Sequence, residues 1–193
     1  MGNDHDVEFN NWGILVASRF LGRSTLFTAL NRFDSEGVWG ISPHLIPHYA
    51  LHSPAGTLSL ALGIRGPSLG IGGGVGSRFE GLLVALSWLA VGVVPGLWLV
   101  QSAWSPEFLP DSQGRSLAEC ECQALALALV PVSVPQAGTR PELRLVASRD
   151  LRARRDLALE EMACLLDQSA TAPEPEVRRW SSLGRSYVLH PAS

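Results

Sequence analysis

The feature that most constrains this chain is an uncharged run of 23 residues, Gly81 to Ala103. Such a run is long enough to cross a bilayer as one helix. Gly92, Pro95 and Gly96 fall inside it, however, and glycine and proline punctuate helices. The breaks predict a buried helix from Phe79 to about Val91, a turn at Gly92–Gly96, and a buried strand from Leu97 to Ala103. Arg78 and Glu80 precede the run and Glu107 and Asp111 follow it, so its flanks give little orientation signal for a membrane. A helix and a strand that are apolar all round need protein on both sides, which favours a folded core. A span over 81–103 stays as an alternative.

The remainder of the chain can supply that core. Hydrophobic residues make up 46% and charged residues 17%, too apolar for a disordered protein. Trp12 to Ser18 (WGILVAS) reads as a second buried strand, and a helix capped by Ser24 or Thr25 follows through Leu26, Leu30 and Phe33. Val38 to Ser53 contains Pro43 and Pro47 and is expected to be an irregular loop. Ala55 to Leu62 has helical spacing, ended by Gly63, Gly66 and Pro67, and Ser68 to Ile71 is a short strand. Cys122 to Val134 is strand-like, and Glu142 to Ser148 is predicted to pair with it as a hairpin. Asp150 to Asp167 has the pattern of an amphipathic helix, with Leu151, Leu157, Met162 and Leu165 on its packed side. A linker at Ser169–Glu176 and one last short element at Arg178–His190 complete the chain. Buried strands alternating with helices predict an α/β fold, a layered sheet with helices on both faces, with residues 1–148 as the domain and 149–193 as a tail of helix and linker.

Charge and residue usage exclude several chemistries. The formal net charge is −3, which gives no general attraction to nucleic acid. All 15 basic residues are arginine, so mechanisms that need a lysine, such as Schiff-base catalysis or a Walker loop, are unavailable. Three cysteines and a polar, acidic start without a signal-peptide pattern predict a reducing cytoplasmic setting. His44, His48 and His52 recur every four residues, but the prolines among them and the lack of an intervening carboxylate argue for ordinary histidines over a metal site. Cys120 and Cys122 lack the second pair that zinc needs. The sequence calls for no cofactor and no metal.

The strongest local motif is GPSLGIGGGVGS, Gly66 to Ser77. It has the glycines of a phosphate cradle, and free amides at a helix N-terminus attract anions. It fits neither G-x-G-x-x-G nor G-x-S-x-G, and favours a tight strand-to-helix turn. Gly74, Val75, Gly76 and Ser77 fall in that bend. An anionic ligand held at Gly72–Ser77 is the second functional reading.

In context, this segment resembles the N-terminal half of β-ketoacyl synthases. Leu62, Gly63, Ile64, Arg65, Gly66 and Pro67 are similar to that family's "lGl.GP" turn, and Ser68 to Ile71 to its following strand. WGILVAS and SPHLIPHYALHSPAG are similar to the family's first strand and the loop after it, so the likeness spans roughly residues 12 to 148. The resemblance implies half of a thiolase-like fold with a C-terminal helical tail. It also places the family's nucleophilic cysteine at Val75. Valine has no thiol to carry an acyl group, and the chain has no counterpart to the family's catalytic lysine. The implied role is therefore a non-catalytic, chain-length-factor-like subunit in fatty-acid or polyketide-type acyl-chain biosynthesis. It would form a homodimer or a heterodimer with a full-length ketosynthase, and meet acyl carrier protein. In that family the strand before the nucleophile pairs with its twin across the dimer axis, which points here to Ser68, Leu69, Gly70, Ile71 and Gly72. A proline at Leu69 is expected to weaken association more than it harms the fold.

Overall fold

A computed structural model describes residues 9–19, 21–74, 76–105, 121–132, 142–147, 162–164, 178–182 and 185–190. The element order begins with a strand β1 (Gly13–Ser18) and three helices, α1 (Arg23–Glu36), α2 (Leu45–Tyr49) and α3 (Ser53–Ala61). β2 (Ser68–Gly72), α4 (Ser77–Ala90) and β3 (Leu97–Ser105) follow, then β4 (Glu121–Leu129), β5 (Glu142–Ala147), β6 (Arg178–Ser182) and β7 (Arg185–His190). One sheet has the order β2-β1-β3-β4, with β1 parallel to both β2 and β3 and β4 antiparallel to β3. A second sheet has the order β5-β7-β6 and is antiparallel throughout.

β1 is central to the first sheet, and all six of its residues are buried. That is why its sequence is a continuous apolar run: a strand covered on both faces has no polar side to show. Leu15 and Ala17 face a cluster with Phe79, Leu82, Ala85 and Leu89 of α4 and Leu97 and Leu99 of β3. Ile14 and Val16 face the other way, onto Ala55 of α3 and Ile64. Helices thus cover both faces of a mixed sheet, the architecture that the sequence predicts. α4 sits close to the sheet at Gly81, where a Cβ would stand 2.7 Å from that of Ala17. β4 alternates: Leu125, Leu127 and Leu129 pack on the α4 cluster while Ala124, Ala126 and Ala128 are exposed, as expected of an edge strand with one wet face.

The uncharged run is α4, a turn at Gly92 and β3, and no helix among the described residues is long and apolar enough to cross a membrane. Other expectations change. α1 begins at Arg23 behind a left-handed Gly22 without a side-chain cap, so Ser24 and Thr25 lie inside its first turn. The predicted loop over 38–53 contains a 3-10 turn at Gly37–Gly40 and the short helix α2. Pro47 is third in α2, where its missing N–H has no intrahelical acceptor to lose. β5 does not form a hairpin with β4: it pairs with β7, and the last predicted element is two strands, β6 and β7. Register explains the difference, because Glu142 to Ala147 match His190 to Arg185 residue for residue. Of the predicted helix over 150–167, residues 162–164 are helical and Met162 is buried against the α4 cluster; the rest lies outside the described residues, as do Cys120 and the linker at 169–176.

Candidate functional site: the β2–α4 bend

The parallel strands β1 and β2 end level with each other while β3 runs on past Ser102 to Ser105, and the start of α4 lies beside them. The chain passes from β1 to β2 on one side, then crosses β1 to reach β3 on the other. In parallel sheets such a reversal at the strand ends is the usual place for a ligand and for chemistry. Ser18, the last residue of β1, and its register partner Ser102 within β3 share an Oγ–Oγ hydrogen bond of 2.9 Å. The Gly73 amide donates to the Ser18 carbonyl at 3.2 Å, and the Arg19 amide to that of Ser102 at 2.9 Å.

Glycine makes the bend possible. Gly72 and Gly73 have φ of 93° and 88°, a region that side chains rarely enter. A Cβ on Gly72 would also collide with Cβ of Ser77. The Ser77 amide donates to the Gly74 carbonyl at 3.3 Å, and the Phe79 and Glu80 amides reach the Gly76 carbonyl. The strand therefore turns into the helix between Gly72 and Ser77, as the sequence predicts. Val75 itself lies outside the described residues.

Polar groups lie buried beside this bend. Ser77 is wholly buried and its Oγ has no hydrogen-bond partner among the described residues. Gln101, wholly buried on β3, donates from Nε2 to the Arg78 carbonyl at 3.0 Å, while its Oε1 has no such partner. Leaving a buried polar atom unmatched costs about 1–3 kcal/mol, so these two side chains set the bend apart from the apolar core around it. Sequence patterning gave no hint of Gln101, which follows the apolar run Leu97 to Val100. Among the described residues of the bend there is no thiol. Cys122 is exposed on β4 opposite Trp104, and Cys164 is exposed.

Ser68 to Gly72, the strand expected to pair across a dimer, form an outer strand of the sheet among the described residues, and Leu69 is 39% exposed. The ladder parity identifies which backbone groups face outward. The Ile14 amide bonds to the Pro67 carbonyl and the Gly73 amide to that of Ser18, so odd-numbered residues of β2 turn toward β1. Along a strand the N–H groups alternate in direction. Ser68 and Gly70 therefore present the outward backbone groups, and Leu69 serves the β1 ladder. A proline at Leu69 strikes the fold itself, contrary to the sequence-based expectation; Ser68 is the informative position.

The three histidines do not form a site. His44 precedes α2 and His48 lies within it, with ring centroids 6.0 Å apart, and His52 precedes α3. Among the described residues no group of three or more His, Cys, Asp or Glu is placed to hold a metal. Sequence reading missed a hollow of about 400 Å³ between α2 and α3, lined by Pro47, His48, Ser53, Pro54, Thr57 and Leu58.

No protein-family model matches the chain, and no curated protein matches it. Solved structures do. The fold is similar to that in a ketosynthase in complex with its chain length factor from Xenorhabdus doucetiae, with a TM-score of 0.60 over 93% of this chain and 69% of that one, at 17% identity. A second similar structure is a type II PKS acyl-carrier protein in complex with its ketosynthase bound to the hexaketide; there the TM-score is 0.45, with 14% identity, 97% of this chain and 40% of that one. The first likeness establishes the fold class: a thiolase-like, ketosynthase-like α/β fold.

Proposed function

We propose that this chain is a non-catalytic, chain-length-factor-like subunit of an acyl-chain-building system of polyketide or fatty-acid type. One observation carries the reading. The chain runs strand–bend–helix from β2 to α4, and the resemblance to ketosynthases puts Val75 at the position of that family's nucleophilic cysteine. Without a thiolate no acyl thioester forms at that point, and the condensation that depends on it has no covalent intermediate. What the fold retains is a surface: the outward edge of β2, by which the chain would join a full-length ketosynthase or a second copy. An acyl carrier protein would then deliver substrate to that partner.

Support for the partnership comes from the structure in Xenorhabdus doucetiae, in which a ketosynthase is bound to its chain length factor. The unit that would act this way is the ketosynthase-like portion, residues 1–148, in a cytoplasmic setting. Reconstitution tests the reading. This chain incubated with acyl carrier protein and extender units should release no condensed product. Adding it to a candidate full-length ketosynthase should change the length or amount of product that the ketosynthase makes. Condensation by this chain alone, or indifference of every such ketosynthase, would contradict it.

The Ser77 Oγ, at the N-terminus of the 14-residue α4 and without a hydrogen-bond partner among the described residues, favours the second reading, an anionic ligand held at Gly72–Ser77. Titration with inorganic phosphate, followed by amide shifts of Gly74 to Ser77, separates the two.

A further inference from the structure

The prolines that argue against a metal in the sequence do not break the turn between His44 and His48. Pro47 is third in α2, and the His48 amide donates to the His44 carbonyl at 3.2 Å, which closes one full α-helical turn. Just ahead of it the His44 amide donates to Ser42 Oγ at 3.3 Å, so the backbone is held on both sides of His44. Residues four apart on a helix share one face. The two rings accordingly stand next to each other, with centroids 6.0 Å apart and planes tilted by 48°. His52 caps the next helix, α3, and is outside this pair.

That spacing is one a single metal ion can close. Zinc bonds an imidazole nitrogen at about 2.0–2.1 Å, which sets each ring centre about 3 Å from the ion and two ring centres about 4.5–6.5 Å apart over the usual bond angles. Both side chains are exposed, so turning the rings onto one ion displaces no packing. Among the described residues neither imidazole is engaged in a hydrogen bond or an ion pair. His48 also lines the hollow of about 400 Å³ between α2 and α3, together with Ser53 and Thr57. The hollow leaves room for water in the coordination positions that two protein ligands do not fill. Among the described residues no third His, Cys, Asp or Glu joins the pair, so this is an open chelate, weaker than a closed structural site. Imidazole nitrogen without carboxylate oxygen favours zinc, nickel and copper over magnesium and calcium.

We propose that His44 and His48 chelate one divalent transition-metal ion of the zinc, nickel and copper class. This inference does not rest on the ketosynthase reading, and it uses neither the bend nor the β2 edge. Calorimetric titration of the full chain with zinc chloride in neutral buffer tests it, read beside the histidine ring signals in NMR spectra. The parent should bind a zinc ion, and the ring signals of His44 and His48 should move together while those of His52 stay in place. His44→Ala and His48→Ala should each weaken that binding by at least about tenfold, because the first imidazole presents the second to the ion at a millimolar or higher effective concentration. His52→Ala should leave it unchanged, and magnesium chloride should neither bind nor compete. The exposed thiols of Cys122 and Cys164 are other ligands for zinc, so iodoacetamide-treated protein should still bind it at the pair. No zinc bound at up to about 0.5 mM overturns the inference. So does binding that survives both His44→Ala and His48→Ala, binding lost on alkylation, or an equal loss with His52→Ala.

Discussion

At the residue scale the bend is held by backbone geometry more than by side-chain bonding. Gly72 combines a left-handed φ with close approach to Ser77. Alanine at that φ costs about 1–2 kcal/mol, and the overlap with Ser77 adds about 1–3 kcal/mol. Gly72→Ala should therefore destabilise the protein by about 2–5 kcal/mol. For a chain of this size that lowers the melting temperature by on the order of 10 °C. Gly74→Ala is the control, because a Cβ there meets nothing within 4 Å, and it should change stability by less than about 0.5 kcal/mol. Equal effects in thermal denaturation would mean that the bend is not shaped by Gly72. The need for glycine here was legible in the sequence as a run of three. Which of them bears the constraint was not, because φ and close contact belong to the folded chain.

At the element scale the sequence reads well where an element is buried on all sides and poorly where long-range pairing decides. β1, α4 and β3 stand within about two residues of where their apolar runs predict, since continuous burial leaves an unbroken signature. β5 was placed as a strand but given the wrong neighbour. Its partner β7 lies some 40 residues on, and nothing local distinguishes that pairing from a hairpin with β4. α2 was read as a loop because Pro47 suggests one; a proline is harmless in the first turn. The bend was found from its glycines, whereas Gln101 and the α2–α3 hollow came only with tertiary structure. Ladder parity adds a test that the sequence could not frame. Ser68→Pro removes an outward amide from β2 and should weaken association through that edge while shifting monomer stability by less than about 1 kcal/mol. Leu69→Pro removes a ladder bond and strands a buried carbonyl of β1, at a cost of about 1–3 kcal/mol or more. Denaturant melts of both variants, run beside light scattering, check the pair. If Leu69→Pro proves the milder for the fold, the parity is wrong.

At the scale of the whole molecule, a ketosynthase-like fold carries a strand–bend–helix from β2 to α4, and on the reading proposed above it offers a surface in place of a nucleophile. Helices on the two faces of the β2-β1-β3-β4 sheet hold the bend in place, and the resemblance to ketosynthases puts Val75 at the position of that family's cysteine. Among the described residues β2 is an outer strand of that sheet. Intact-protein and peptide mass spectrometry after incubation with an acyl-carrier-protein thioester tests the central claim most directly. The account predicts no acyl adduct anywhere on residues 66–80, with Ser77 unmodified even at long incubation. A stable acyl group on Ser77, or on any residue of that segment, would mean that the bend is a working nucleophile site and would contradict the non-catalytic reading.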